Sequence, residues 1–134
     1  MALILIATII GSVGCRLSSN VPRSTWQADF QKADSLLIRV GDRETVMTER
    51  AKIDRLNDIY VNARWKPYRH TLPGNLGEKV IVLRNGDDEL RRFSYTGGLW
   101  ETESYTRNRT ARLSDEDAKW VKSLFRFEPT RPTE

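Results

Sequence analysis

Residues 80–102 read VIVLRNGDDELRRFSYTGGLWET, and this stretch decides the fold. Val80–Leu83 is a continuous apolar run, as expected of a central strand covered on both faces. Asn85-Gly86 marks a hairpin turn, Leu90–Tyr95 reads as the return strand, Gly97-Gly98 marks a second turn, and Leu99–Tyr105 follows as a third strand. A two-residue loop at Gly97-Gly98 places Tyr95 opposite Trp100, Ser94 opposite Glu101, Phe93 opposite Thr102 and Arg92 opposite Glu103. Phe93, Tyr95 and Trp100 then share one face, while Arg92 and Glu103 pair on the other. An even-length loop at Asn85-Gly86 adds Val80 and Val82 to the face of Phe93.

Working outward, Leu36–Val40 and Arg43–Thr48 form a hairpin around Gly41-Asp42. Thr48 has the side chain to cap a helix, with Glu49 favourable in its first turn. Ile53, Leu56, Tyr60 and Ala63 recur at spacings of three and four and define one apolar stripe. Pro67 stops that helix, with Trp65 at its end, and residues 68–77 form a loop. Leu113-Ser114-Asp115-Glu116-Asp117-Ala118 starts a second helix: Ser114 caps it, and three acids occupy the positive end of its dipole. The predicted class is α+β, a small antiparallel sheet in the order β-β-α-β-β-β-α with two helices packed on one face. Its core should bring Ile53, Leu56 and Tyr60 against Val80, Val82, Phe93 and Trp100.

The amino terminus carries a different message. Ala2–Ile10 is apolar and too short to cross a hydrocarbon layer of ~30 Å as a helix, but it suits the apolar region of a signal peptide. Small residues lead to Cys15, and the polar stretch Arg16–Asn20 follows at once. Ser12-Val13-Gly14-Cys15 resembles the lipobox of bacterial lipoproteins. That resemblance implies a signal peptide over residues 1–14, cleavage before Cys15, and acylation of Cys15 as a membrane anchor. Arg16 in the second mature position implies the outer membrane, facing the periplasm, where two membranes are present. Residues 15–25 are expected to be a tether interrupted by Pro22, residues 26–127 one domain, and residues 128–134 a tail.

With 134 residues, 39% hydrophobic and 30% charged, the chain suits one small globular domain. The net charge of +4 raises the question of nucleic acid, which an exported domain rarely meets. Cys15 is the only cysteine, so an intrachain disulfide and a cysteine-based metal site are both excluded. His70 is the only histidine and lies in a loop, with no nucleophile elbow or second histidine to complete a hydrolytic or zinc site. Asp87-Asp88-Glu89 lacks the spacing of a calcium loop. Glu101 and Glu103, two apart on a strand, are the one carboxylate pair that a small envelope hydrolase would use.

Arg107, Arg109 and Arg112 are expected to form a basic loop before the last helix. Arg64, Lys66 and Arg69 join them if the fold brings the two segments together, with Trp65, Tyr68 and Trp100 as aromatic contacts. The sequence therefore points to a lipid-anchored, non-catalytic binding domain that needs no cofactor. Its partner would be an envelope protein or an anionic polymer.

Overall fold

The computed structural model describes residues 23–102 and 108–127. Among them the chain runs α1 (Arg23–Lys32), β1 (Ser35–Val40), β2 (Arg43–Met47), α2 (Arg50–Asn62), β3 (Arg64–Tyr68), β4 (Lys79–Asn85), β5 (Asp88–Tyr95), β6 (Leu99–Thr102), β7 (Asn108–Arg112) and α3 (Asp115–Leu124). The strands form one sheet in the order β2-β1-β4-β5-β6-β7-β3, every neighbouring pair antiparallel. The α+β class stands. The expected order lacked three elements: α1, β3 and β7. The signal peptide, Cys15 and the tail lie outside the described residues.

Pleating sorts the strand residues onto two faces. Leu36, Ile38, Ile81, Leu83, Phe93, Tyr95, Leu99 and Ala111 point one way and join a single core with Phe30 of α1 and Ala33 just after it, Ile53, Leu56, Ile59 and Tyr60 of α2, and Val121 and Leu124 of α3. All three helices therefore cover the same face. α1 begins at Arg23, ahead of the expected boundary at Trp26. Trp26, Phe30 and Ala33 stand one helical turn apart, and the first two rings pack against Tyr60 at centroid distances of 5.7 and 5.6 Å. The last carbonyls of α1 are capped from α2, where Arg50 donates to the carbonyls of Phe30 and Ala33. Glu49, not Thr48, is the N-cap of α2, and its side chain makes no capping bond.

Two one-residue details overturn the expected register. The β4–β5 turn does have two residues, Gly86 and Asp87, between the paired Asn85 and Asp88. A bulge between Leu83 and Arg84 then leaves Leu90 extra. Past the bulge Ile81 faces Phe93 and Val80 faces Ser94, so Val80 and Val82 lie on the face away from the helices. The β5–β6 loop has three residues, because Tyr95 pairs with Leu99 and Ser94 with Trp100. Gly97, at φ 99°, supplies the left-handed position such a loop needs. This slip buries Leu99 and Glu101 under the helices and turns Trp100 to the other face. Arg92 pairs with Glu89 of its own strand at 2.7 Å; its expected partner, Glu103, lies outside the described residues.

One connection crosses the open face. With every neighbour antiparallel, β3 and β4 run parallel, with β7, β6 and β5 between them. Residues 69–78 must go from the end of one to the start of the other, over four strand spacings or about 19 Å sideways. Since the helices fill one face, the path lies over the other. Burial follows that diagonal: Tyr68 reaches Trp100 edge-on at 4.7 Å, and Asn108, Trp100 and Val80 are buried while Thr102 and Arg92 to one side are exposed. The connection ends at the β1–β2 turn, where Gly41 N–H donates to the carbonyl of Glu78.

Leu56 is fully buried in the helix-covered core. Leu56→Ala should destabilise the protein by about 2–5 kcal/mol in urea unfolding. Gly98 is held equally tightly, because a Cβ there would stand 2.8 Å from the backbone oxygen of Ala111. Gly98→Ala should cost roughly 1–3 kcal/mol, since two paired strands must part to admit the methyl group.

Candidate functional site

Charged side chains converge at the β5–β6–β7 end of the core, beneath α1 and α2. Arg91 on β5, Glu101 on β6 and Arg109 on β7 all point to the helix side, because each stands two residues from a core residue of its own strand (Phe93, Leu99 and Ala111), with Arg91 level with Leu83 and Glu101 level with Arg109. Glu101 is only 4% exposed. Its Oε2 accepts from Arg91 Nη1 at 2.8 Å, and its Oε1 accepts from Arg109 Nε at 3.0 Å. Tyr60 of α2 donates its hydroxyl to Glu101 at 3.3 Å and accepts from Arg91 and Arg109. Arg91 Nε donates to Asp29 of α1 at 2.9 Å, so two arginines and two carboxylates balance.

The aromatic rings complete this cluster. The Arg109 guanidinium lies 4.6 Å from the centroid of Trp65 and 5.4 Å from that of Tyr60. Trp65 in turn donates its indole N–H to the carbonyl of Tyr60, closing the end of α2. Burial, and then the neighbouring Glu101 carboxylate, push the Tyr60 phenol up to about 12. Burial alone would lower Arg91, but the charge of Glu101 outweighs it and holds that guanidinium above its ordinary value. Every charge here has a partner, so the arrangement is a buried polar clasp joining the sheet to α1 and α2.

The six residues expected to form a binding surface are divided by the pleat. Arg109 and Trp65 are on the helix side, inside the clasp. Tyr68, Trp100 and Arg112 are on the open face, and Arg107 lies outside the described residues. Residues 108–112 are a strand, not the expected loop, because they complete the ladder between β6 and β3. Trp100 is 8% exposed and gives its indole N–H to Thr96, which leaves little of it for a partner.

What the fold does bring together is the basic edge. Arg64 faces Arg112 directly across β3 and β7, and Lys66 stands two residues further along β3. All three are exposed. They have no salt bridge among the described residues, whereas Arg39, Arg50, Arg55, Arg84 and Arg92 each have one. Like charges placed directly opposite on a sheet cost about 0.2–1 kcal/mol. Pro67 follows the two cations of β3, a residue suited to the outermost strand of a sheet.

Other chemistry is sparse. No group of three or more His, Cys, Asp or Glu able to hold a metal exists among the described residues. His70 is exposed beside Tyr68, edge-on at 5.5 Å. Of the two glutamates of the hydrolase alternative, Glu101 is engaged on both oxygens and Glu103 lies outside the described residues.

Two outcomes test the clasp. Glu101→Gln leaves Arg109 without a carboxylate and Arg91 with Asp29 alone, one uncompensated charge in the core, and should cost about 3–5 kcal/mol of stability. The Tyr60 phenol sets an alkaline limit. Its folded value is raised, so its contribution is whole below about pH 10 and is lost as pH rises through about 12. Stability measured between pH 9 and 12 should therefore fall less steeply in Tyr60→Phe than in the unaltered protein.

The chain matches no protein-family model, no curated protein and no solved structure, so its function rests on the chemistry of these residues.

Proposed function

We propose that this protein is a lipid-anchored protein of the bacterial cell envelope whose small α+β domain binds an anionic partner without catalysis. The observation that carries the reading is the exposed edge of Arg64, Lys66 and Arg112, three cations without an acidic partner among the described residues. Holding Arg64 and Arg112 opposite each other works against folding, and a bound anion relieves that repulsion. The anchor rests on the lipobox-like Ser12-Val13-Gly14-Cys15 and on the lone cysteine.

The hydrolase alternative gains nothing from Glu101. A carboxylate that accepts from two arginines and a tyrosine beneath two helices has no free oxygen to offer a substrate. The partner class favoured here, an anionic surface of the envelope (polymer, protein face or acidic membrane), needs only an accessible cationic surface.

Processing supplies the direct test. Mass spectrometry of protein isolated from membranes should find Cys15 as the first residue, carrying acyl chains, and the protein should partition into detergent. Cys15→Ser should leave the precursor uncut and unacylated. An unmodified Cys15 in the mature protein would refute the anchored reading.

A further inference from the structure

We infer that the β3–β7 edge is a docking surface for the anionic phospholipid headgroups of the membrane that holds the chain, an inference that rests on the anchored reading above and names the ligand of its basic edge. The first argument is the length of the chain before α1. Seven residues, Arg16–Pro22, separate Cys15 from Arg23. Fully extended, that segment spans at most about 28 Å. A domain of about 100 residues has a radius of gyration near 13 Å and so measures about 34 Å across. The tether is shorter than the domain is wide, so the side on which α1 begins stays near the bilayer.

That side is the β3 side. Trp26, in the first turn of α1, packs on Tyr60 at 5.7 Å, and Tyr60 packs on Trp65 of β3 at 5.3 Å. Trp65 lies between Arg64 and Lys66 in sequence, and Arg64 stands against Arg112. The sheet edge nearest the start of α1 is thus the edge carrying the cations, which the pleat turns to the face opposite α1. The exposed Arg69 follows directly after β3.

Charge complementarity selects the occupant. A surface of acidic headgroups attracts each nearby Lys or Arg, within a Debye length of about 8 Å at physiological salt. The acids nearest in sequence, Asp115, Glu116 and Asp117, do not neutralise the edge. They form the first turn of α3 on the helix side, where Asp117 pairs with Arg55 at 2.8 Å. Pro67 and the two cations ahead of it on β3 also disfavour pairing of β3 with another strand, leaving the edge for a surface that asks for charge rather than backbone hydrogen bonds. Docking would hold the domain down against the bilayer, with the β2 edge outward.

The test uses the mature chain, residues 15–134 with Cys15→Ser, so that neither the acyl chains nor the apolar residues 1–14 contribute to binding. Co-sedimentation should show tighter binding to vesicles of phosphatidylcholine with 30% phosphatidylglycerol than to phosphatidylcholine alone. Replacing Arg64, Lys66 and Arg112 together by Gln should weaken binding to the acidic vesicles by on the order of 100-fold. Raising the salt from about 0.1 to 1 M should do the same, since screening then acts within about 3 Å.

A charge-matched control, Lys32, Lys119 and Lys122 to Gln, should bind nearly as well as the parent. Equal binding to both vesicle types, or equal losses in the two triple variants, would overturn the inference. So would binding to soluble polyphosphate without binding to acidic vesicles, which would assign the edge to a polymer instead. Circular dichroism must show both variants folded; if the first is not, Lys66→Gln alone should still weaken vesicle binding several-fold. An acylated Cys15 with no preference for acidic vesicles would leave the anchor and remove the docking surface. Vesicle binding through the edge with an unmodified Cys15 would do the reverse.

Discussion

The Glu101 carboxylate is the point on which the remainder of the domain hangs. It lies under the helices with two guanidinium groups and a phenol bound to it, and each of these groups comes from a different element. Through Arg91 it reaches Asp29 and so α1; through Tyr60 it reaches α2; through Arg109 it reaches β7 and the ring of Trp65 on β3. A buried ion cluster of this kind adds little net stability compared with an apolar core of equal volume, because desolvation cancels most of the attraction. Its effect is on uniqueness. The observed register of β5, β6 and β7 sets Arg91, Glu101 and Arg109 beside one another on the helix side, and a slip of one residue in any of them would leave a charge unpaired in the core.

At the other end of the sheet the fastening is smaller and wholly local. Asp34, between α1 and β1, accepts from the Gly86 amide at the β4–β5 turn and from the Ser35 hydroxyl, and these bonds hold its carboxyl below the usual carboxylate range. Asn85 reaches back to the carbonyl of Lys32. The hairpin that begins the central strands is thereby fixed to the end of α1. The domain is tied at both ends by polar contacts and in the middle by apolar ones.

How much of this was legible in the sequence depends on distance along the chain. The helix stripe of Ile53, Leu56 and Tyr60, the Ser114 cap with its acidic first turn, and the Gly41-Asp42 hairpin all follow from neighbours a few residues apart, and all are present. The register was not legible, because it turns on a single bulge after Leu83 and on one additional loop residue, Thr96, before the Gly-Gly pair. Pro67 signalled the end of a helix and hid the strand that contains it. At the site, the sequence drew Arg64, Lys66 and Arg112 into one group from charge alone. It placed Arg109 with them because nothing local distinguishes an arginine paired in the core from one facing water. Trp26, Phe30 and Ala33 did carry the spacing that could have revealed α1.

The crossing of residues 69–78 has a kinetic consequence. β3 is made early in the chain but has no strand to pair with until β7 exists, because Arg64 meets Arg112 across a separation of about 50 residues, a distant contact that slows folding. The hairpins β1–β2 and β4–β5 close locally and have no such delay. During synthesis β3 therefore has no strand to pair with until β7 presents its free edge. The basic surface is in this sense a mark of completion: a chain stopped short of residue 108 carries Arg64 and Lys66 but has not assembled the edge to which they belong.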